Sequence, residues 1–126
     1  MAKKILFIED EMRLQEALAA KLKAEGYEVI SALDGESGFK MAEENKPDLI
    51  LLDLILPKKD GFKVLEELKA KPEISAIPVI VLTNLEDKKD IQRCLALGVR
   101  SYLAKANYSL NEVAQKVDEV FKGVFK

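Results

Sequence analysis

The sequence contains no histidine, and its one cysteine, Cys94, has no second thiol to pair with. An internal disulfide is therefore excluded, as are zinc sites built on imidazole or paired thiolates and any catalytic histidine dyad. That usage suits a reducing, cytoplasmic setting. A charge excess is missing as well. Twenty Lys and Arg against 22 Asp and Glu leave a formal net charge of −2, so no global field recruits nucleic acid, anionic lipid or a basic partner. No direct nucleic-acid binding is expected, and specificity has to come from a local site. The opening MAKKILFIED sets two lysines before an apolar run, but Glu9 and Asp10 stop that run well short of a signal-peptide core, and no targeting or transmembrane segment follows. No membrane insertion is expected. Internal repeats, low-complexity tracts and Gly/Ser/Pro-rich linkers are also lacking. With 48% hydrophobic residues in 126, residues 1–126 are expected to form one domain with a single core.

What is present is an alternation. Short runs rich in Ile, Val and Leu recur at KILFI, YEVISAL, DLILLDL, PVIVLT and SYLA, and each is followed by residues at helical spacing. Leu14, Ala17, Leu18, Lys21 and Leu22 predict the core-facing stripe of the first helix, with Gly26 as its stop. Asp34 is a candidate N-cap for the second helix, the KKDG turn opens the third, and Val64, Leu65 and Leu68 form its stripe before Pro72. LEDKKDIQRCLALG and YSLNEVAQKVDEVF supply the fourth and fifth helices; Ser109 and Glu112 fit a capping box, and Gly123 marks the end. Cys94 falls on the helical repeat with Ile91 and Leu95, as a core thiol would. Continuous apolar strands alternating with amphipathic helices predict an α/β fold: a five-stranded parallel sheet with helices on both faces.

In such sheets ligands bind beyond the carboxyl ends of the strands, where the strand order reverses. Polar residues stand at those ends: Glu9 and Asp10 after the first strand, Asp53 after the third, Thr83 after the fourth, Lys105 after the fifth. With strand order 2-1-3-4-5, the flavodoxin-like arrangement, the first and third strands are neighbours, which gathers Glu9, Asp10 and Asp53 into one pocket. Three carboxylates at short range repel and call for a cation. Oxygen-only ligands suit Mg²⁺, or Mn²⁺ in its place. A carboxylate beside a divalent cation, an ammonium and a hydroxyl is equipped to attack phosphorus while the charge developing on the phosphoryl group is held. On this reading Asp53 is the nucleophile, Asp10 and Asp53 ligate the metal, and the backbone carbonyl of Ile55 adds a ligand. Glu9 acts through water or orients Lys105, whose ammonium pairs with one phosphoryl oxygen; Thr83 binds another.

These residues resemble the receiver domains of bacterial two-component response regulators, in particular the single-domain, chemotaxis-type members. The matching pieces are ILFIEDE, DLILLDLILPKKDG, PVIVLTN and GVRSYLAK, and the resemblance covers essentially the whole chain. It implies a phosphorylation-controlled signalling switch that accepts a phosphoryl group on Asp53 from a histidine kinase or phosphotransfer protein and acts on a downstream protein target. Such a protein is not a dedicated enzyme, but it catalyses its own phosphorylation and slow dephosphorylation. The resemblance also adds Tyr102 as the aromatic that turns inward when Thr83 shifts, linking the chemistry to the surface of the fourth helix, fifth strand and fifth helix.

Four positions bear on how closely the sequence follows the family pattern. Ala106 follows Lys105 where the family usually has proline and a cis bond; a non-proline cis bond costs about 2.5–4 kcal/mol, so this one is either trans or strained. Asn84 is larger than the small residue common after the switch threonine. Ile55 and Leu85 lie where family members tune hydrolysis, and two apolar side chains there predict a long-lived phosphoryl state.

Three other functions compete. A haloacid-dehalogenase-like phosphohydrolase needs a second acid two residues after its nucleophile, where Ile55 stands. A flavodoxin-like electron carrier needs a phosphate loop after the first strand, where EDEMRLQ is hostile to an anion. A phosphorylation-independent binding module of receiver fold is the alternative that Ala106 leaves open.

Overall fold

The computed structural model describes residues 2–123, so Met1 and residues 124–126 of the expected domain lie outside the described residues. In chain order the elements are β1 (Lys4–Ile8), α1 (Met12–Ala24), β2 (Glu28–Ala32), α2 (Gly35–Asn45), β3 (Leu49–Leu52) and α3 (Gly61–Ala70). Then come β4 (Val79–Thr83), α4 (Lys88–Ala96), β5 (Ser101–Ala104), a short 3-10 turn over Lys105–Asn107, and α5 (Leu110–Phe121). All strands pair in parallel in the order β2-β1-β3-β4-β5. The expected α/β sheet is therefore present, with its order reversal between β1 and β3.

Because successive strand residues point to opposite faces, each strand feeds two cores. Leu6, Ile8, Ile50, Leu52, Val79 and Val81 face α2, α3 and α4, whose Ala42, Val64, Leu65, Leu68 and Cys94 complete one cluster. Ile5, Phe7, Leu49, Leu51, Ile80 and Leu82 face α1 and α5 through Leu18, Leu22, Val113, Ala114 and Val117. Central strands β3 and β4 are buried along their length, as the unbroken apolar runs predict. β2 is not: Glu28 and Ser31 are exposed, because an edge strand has no neighbour to dry its outer side.

Helix starts follow local chemistry. Asp34, Asp60 and Asp87 accept N–H bonds from Ser37, Lys63 and Lys89, and Ser109 with Glu112 closes a full capping box. The first helix buries Leu18 and Leu22 of the predicted stripe, but its inward face is rotated from the rest of it. Gln15, Leu18, Ala19 and Leu22 are buried, whereas Ala17 is exposed and Lys21 half-buried. Gly26 and Gly123 end their helices at φ 98° and 74°.

Two glycines allow the loop between β3 and α3 to lie close to the sheet. A Cβ on Gly61 would sit 2.4 Å from the Asp53 carbonyl oxygen, and one on Gly35 would sit 1.7 Å from that of Lys59. Gly61 N–H also donates to the Leu54 carbonyl at 2.9 Å, and Gly35 N–H to that of Pro57 at 3.3 Å. The loop after Asp53 is thus packed backbone to backbone. Gly61→Ala is expected to force that loop outward and lower stability by about 1–3 kcal/mol, read as a fall in the denaturant midpoint at unchanged slope.

Candidate functional site

At the carboxyl ends of β1, β3, β4 and β5 the polar residues expected there converge on one edge of the sheet. Glu9 follows β1 as the ladder to β2 closes, its N–H donating to the Ala32 carbonyl at 3.0 Å. Asp53 follows β3, with its N–H on the Ile8 carbonyl at 3.1 Å. Register therefore fixes both backbones before any side chain is considered. Glu9 is 0% exposed and Asp53 3%; Asp10 beside them is open to solvent.

Lys105 joins the acids. Its Nζ lies 2.8 Å from Asp53 Oδ2, and 2.9 and 3.0 Å from the two Glu9 oxygens. Glu11 is a more distant partner at 3.8 Å. The other Asp53 oxygen, Oδ1, accepts the Ile55 N–H at 3.2 Å, while the Ile55 side chain is 53% exposed at the mouth. Burial works against the Lys105 charge, but the bonds to Asp53 and Glu9 outweigh it and hold its pKa above the ordinary lysine value. Glu9 shows the opposite balance. Burial, with a smaller push from the Asp53 charge, outweighs the bonds from Lys105 and the Glu11 N–H and moves Glu9 from 4.5 to about 6.

Carboxylate oxygens of Glu9, Asp10 and Asp53 lie within 4.8 Å of one another. Although Glu9 Oε1 is near the ammonium, the angle is wrong for a hydrogen bond, and this buried oxygen has no other donor among the described residues. An under-satisfied buried oxygen, a second buried carboxylate and a solvent-facing one form a hard, all-oxygen donor set, which fits a divalent cation such as Mg²⁺ or Mn²⁺.

Thr83 is fully buried at the end of β4. Its Oγ1 accepts the Leu85 N–H at 3.4 Å, and the Tyr102 hydroxyl on β5 donates to the Leu85 carbonyl at 2.5 Å. One residue, Leu85, therefore bonds to both Thr83 and Tyr102. Burial pushes the Tyr102 phenol up to about 12, which keeps it a neutral donor. No peptide bond among the described residues is cis, so Lys105–Ala106 is trans, and Lys105 still reaches both acids.

One participant escaped the sequence reading. Gln15 is buried, and its Nε2 donates to the carbonyls of Glu9 and Ala32, both at 3.0 Å. Its only signal was a position one turn from Leu18 and Ala19.

The raised Glu9 pKa has a definite sign. The unfolded chain ionises Glu9 near 4.5 and the folded one near 6, so folding is penalised as pH rises through that window, by about 2 kcal/mol above it. In metal-free protein, Glu9→Gln is expected to raise stability by about that amount at pH 7 and not below pH 4.5, checked by urea unfolding across the window.

Comparison with known proteins agrees with this geometry. Residues 5–118 match the response regulator receiver domain family. The alkaline phosphatase synthesis transcriptional regulatory protein PhoP of Bacillus subtilis is 38% identical over 122 residues, 97% of this chain. The chain spans 50% of that relative's length. Among solved structures, the receiver domain of sensor histidine kinase PA1611 from Pseudomonas aeruginosa, with magnesium in its active-site cleft, is 32% identical. It superposes with a TM-score of 0.84, covering 98% of this chain and 99% of its own. The Mn²⁺-bound response regulator Rcp1 is 34% identical at a TM-score of 0.83, covering 94% of each chain. With its strand order, its acid edge and the family match in agreement, the chain belongs to the response regulator receiver domains of two-component systems.

Proposed function

We propose that Asp53 is the phosphoacceptor of a two-component phosphorelay, taking its phosphoryl group from a histidine kinase or phosphotransfer protein in a divalent-cation-dependent reaction. The observation that supports this most is the setting of Asp53: a buried carboxylate held by Lys105 at 2.8 Å and by the Ile55 N–H at 3.2 Å, beside two further acids. These 126 residues contain no histidine, so the donor imidazole lies outside them. In the transfer the P–N bond of a phosphohistidine breaks as an Asp53 oxygen bonds to phosphorus, and the imidazole nitrogen keeps the electron pair and takes a proton from solvent. Lys105 already stands at the carboxylate, and Glu9 holds its ammonium there, so positive charge meets the phosphoryl oxygens with little reorganisation. Asp10 and Asp53 would hold Mg²⁺ or Mn²⁺ directly, with Glu9 through water or through Lys105 and the Ile55 carbonyl as a further oxygen. The metal supplies charge neutralisation at the transferring group. The intact pocket favours this reading over a phosphorylation-independent binding module.

For the output, Thr83 accepts from Leu85 and keeps its own proton to donate to a phosphoryl oxygen. Movement of Thr83 toward that oxygen pulls on Leu85, whose carbonyl holds Tyr102. A downstream protein would read the resulting change on the α4-β5-α5 surface. Action in the cytoplasm fits a lone buried thiol and the absence, among the described residues, of any helix long and apolar enough to cross a membrane.

Intact mass after incubation with acetyl phosphate tests the acceptor. A phosphoryl adduct that requires Mg²⁺ is expected for wild type, absent in Asp53→Asn and at least tenfold slower to form in Lys105→Ala. An adduct persisting in Asp53→Asn would overturn the assignment. The exposed, apolar Ile55 at the mouth gives water no hydrogen-bonding partner there, so Ile55→Asn is expected to shorten the adduct lifetime several-fold; an unchanged lifetime removes Ile55 as the barrier.

A further inference from the structure

Four polar side chains are buried among the described residues: Glu9, Asp53, Thr83 and Gln15. Three belong to the strand ends already described. The fourth reaches the same edge from α1, and the phosphoryl chemistry as outlined does not use it.

Gln15 has one side-chain nitrogen with two protons, and it serves two carbonyls, Glu9 and Ala32, each at 3.0 Å. Ala32 also accepts the Glu9 N–H, so its oxygen ends the β1–β2 ladder. Beyond that point the sheet has no strand partner left for the Glu9 carbonyl, and an unpartnered buried carbonyl is costly. Gln15 fills that vacancy and ties the ends of the two strands together. The Glu9 carbonyl is one end of the Glu9–Asp10 peptide plane. Among the described residues no hydrogen bond or ion pair holds the Asp10 carboxylate, so its aim depends on that plane. The Glu9 side chain itself runs to Lys105.

We propose that Gln15 is a positioning residue: by holding the Glu9 carbonyl against the end of β2, its amide orients the Glu9–Asp10 pair toward Asp53 and thereby sets the affinity of the acid edge for a divalent cation. The proposal rests on the reading of that edge as a cation site. A group acting behind the ligands in this way is commonly worth tenfold or more in metal affinity. General stabilisation by a buried amide is the competing role, and it would leave the affinity of the folded protein unchanged.

Mn²⁺ titration by electron paramagnetic resonance, at a temperature where every variant is folded by circular dichroism, separates the two. Gln15→Met keeps length and loses both donors; it is expected to weaken Mn²⁺ binding about tenfold and to slow adduct formation at subsaturating metal. Leu18→Ala, one turn along the same buried face, destabilises the helix without touching the acids and is expected to bind as wild type does. Should Gln15→Met melt too low, Gln15→Asn, one methylene short of bridging both carbonyls, makes the same comparison. Wild-type affinity in the donor-less variant, or equal loss in Leu18→Ala, would overturn the proposal while leaving the Asp53 reading intact. A wild-type protein that binds no Mn²⁺ and takes no adduct would sink both.

Discussion

The carboxyl edge of this sheet depends on a single ammonium group. Lys105 lies within 3.0 Å of both Glu9 and Asp53, two carboxylates that are almost wholly out of water. Buried acids at this spacing repel each other and lose hydration, and only a shared, hydrogen-bonded cation makes the arrangement tolerable. Removing that ammonium is expected to cost about 3–5 kcal/mol, because the two buried carboxylates would be left with no countercharge. The contact also does something the hydrogen-bonded ladder does not. β5 pairs only with β4, yet its following lysine reaches side chains that follow β1 and β3, so the ion pair joins strands that share no backbone bonds.

The neutralisation is incomplete, and the excess of acid over base is what suits this edge to a cation. One ammonium stands against a cluster of three carboxylates, Glu9 is pushed toward protonation, and among the described residues one of its buried oxygens lacks a donor. A divalent cation bound there would answer each of these at once. The surrounding fold is built to endure the strain: two apolar clusters flank the strands on either side, and the loop beyond Asp53 is pinned by close approach at Gly35 and Gly61. The unfavourable charge is thereby confined to the carboxyl edge of the sheet, which is where a reactive site would need it.

Much of this was legible in the residues. The apolar run SYLA is β5 residue for residue, and Asp34 and the Ser109–Glu112 box cap their helices as the side-chain chemistry demands. Such features are local, so a short window contains their cause. Errors arose where burial depends on neighbours far away in sequence. Ala17 and Lys21 fit a helical stripe, but the stripe turned inward is centred on Gln15, Leu18, Ala19 and Leu22. Gln15 was invisible because glutamine within an amphipathic pattern reads as solvent-facing; only the carbonyls it meets reveal its purpose.

By itself the sequence determined the alternation of strand and helix, the position of each polar residue at a strand end, and an acid excess at that edge. Those follow from periodicity and from the order of residues along the chain. Only the tertiary structure decided that one lysine serves both Glu9 and Asp53, that it does so beside a trans bond to Ala106, and that Leu85 bonds to both Thr83 and Tyr102. Glu9 and Lys105 are 96 residues apart. A bond across that separation has no local cause: it exists because four parallel strands, stacked by burial in one order, bring their ends to a common edge.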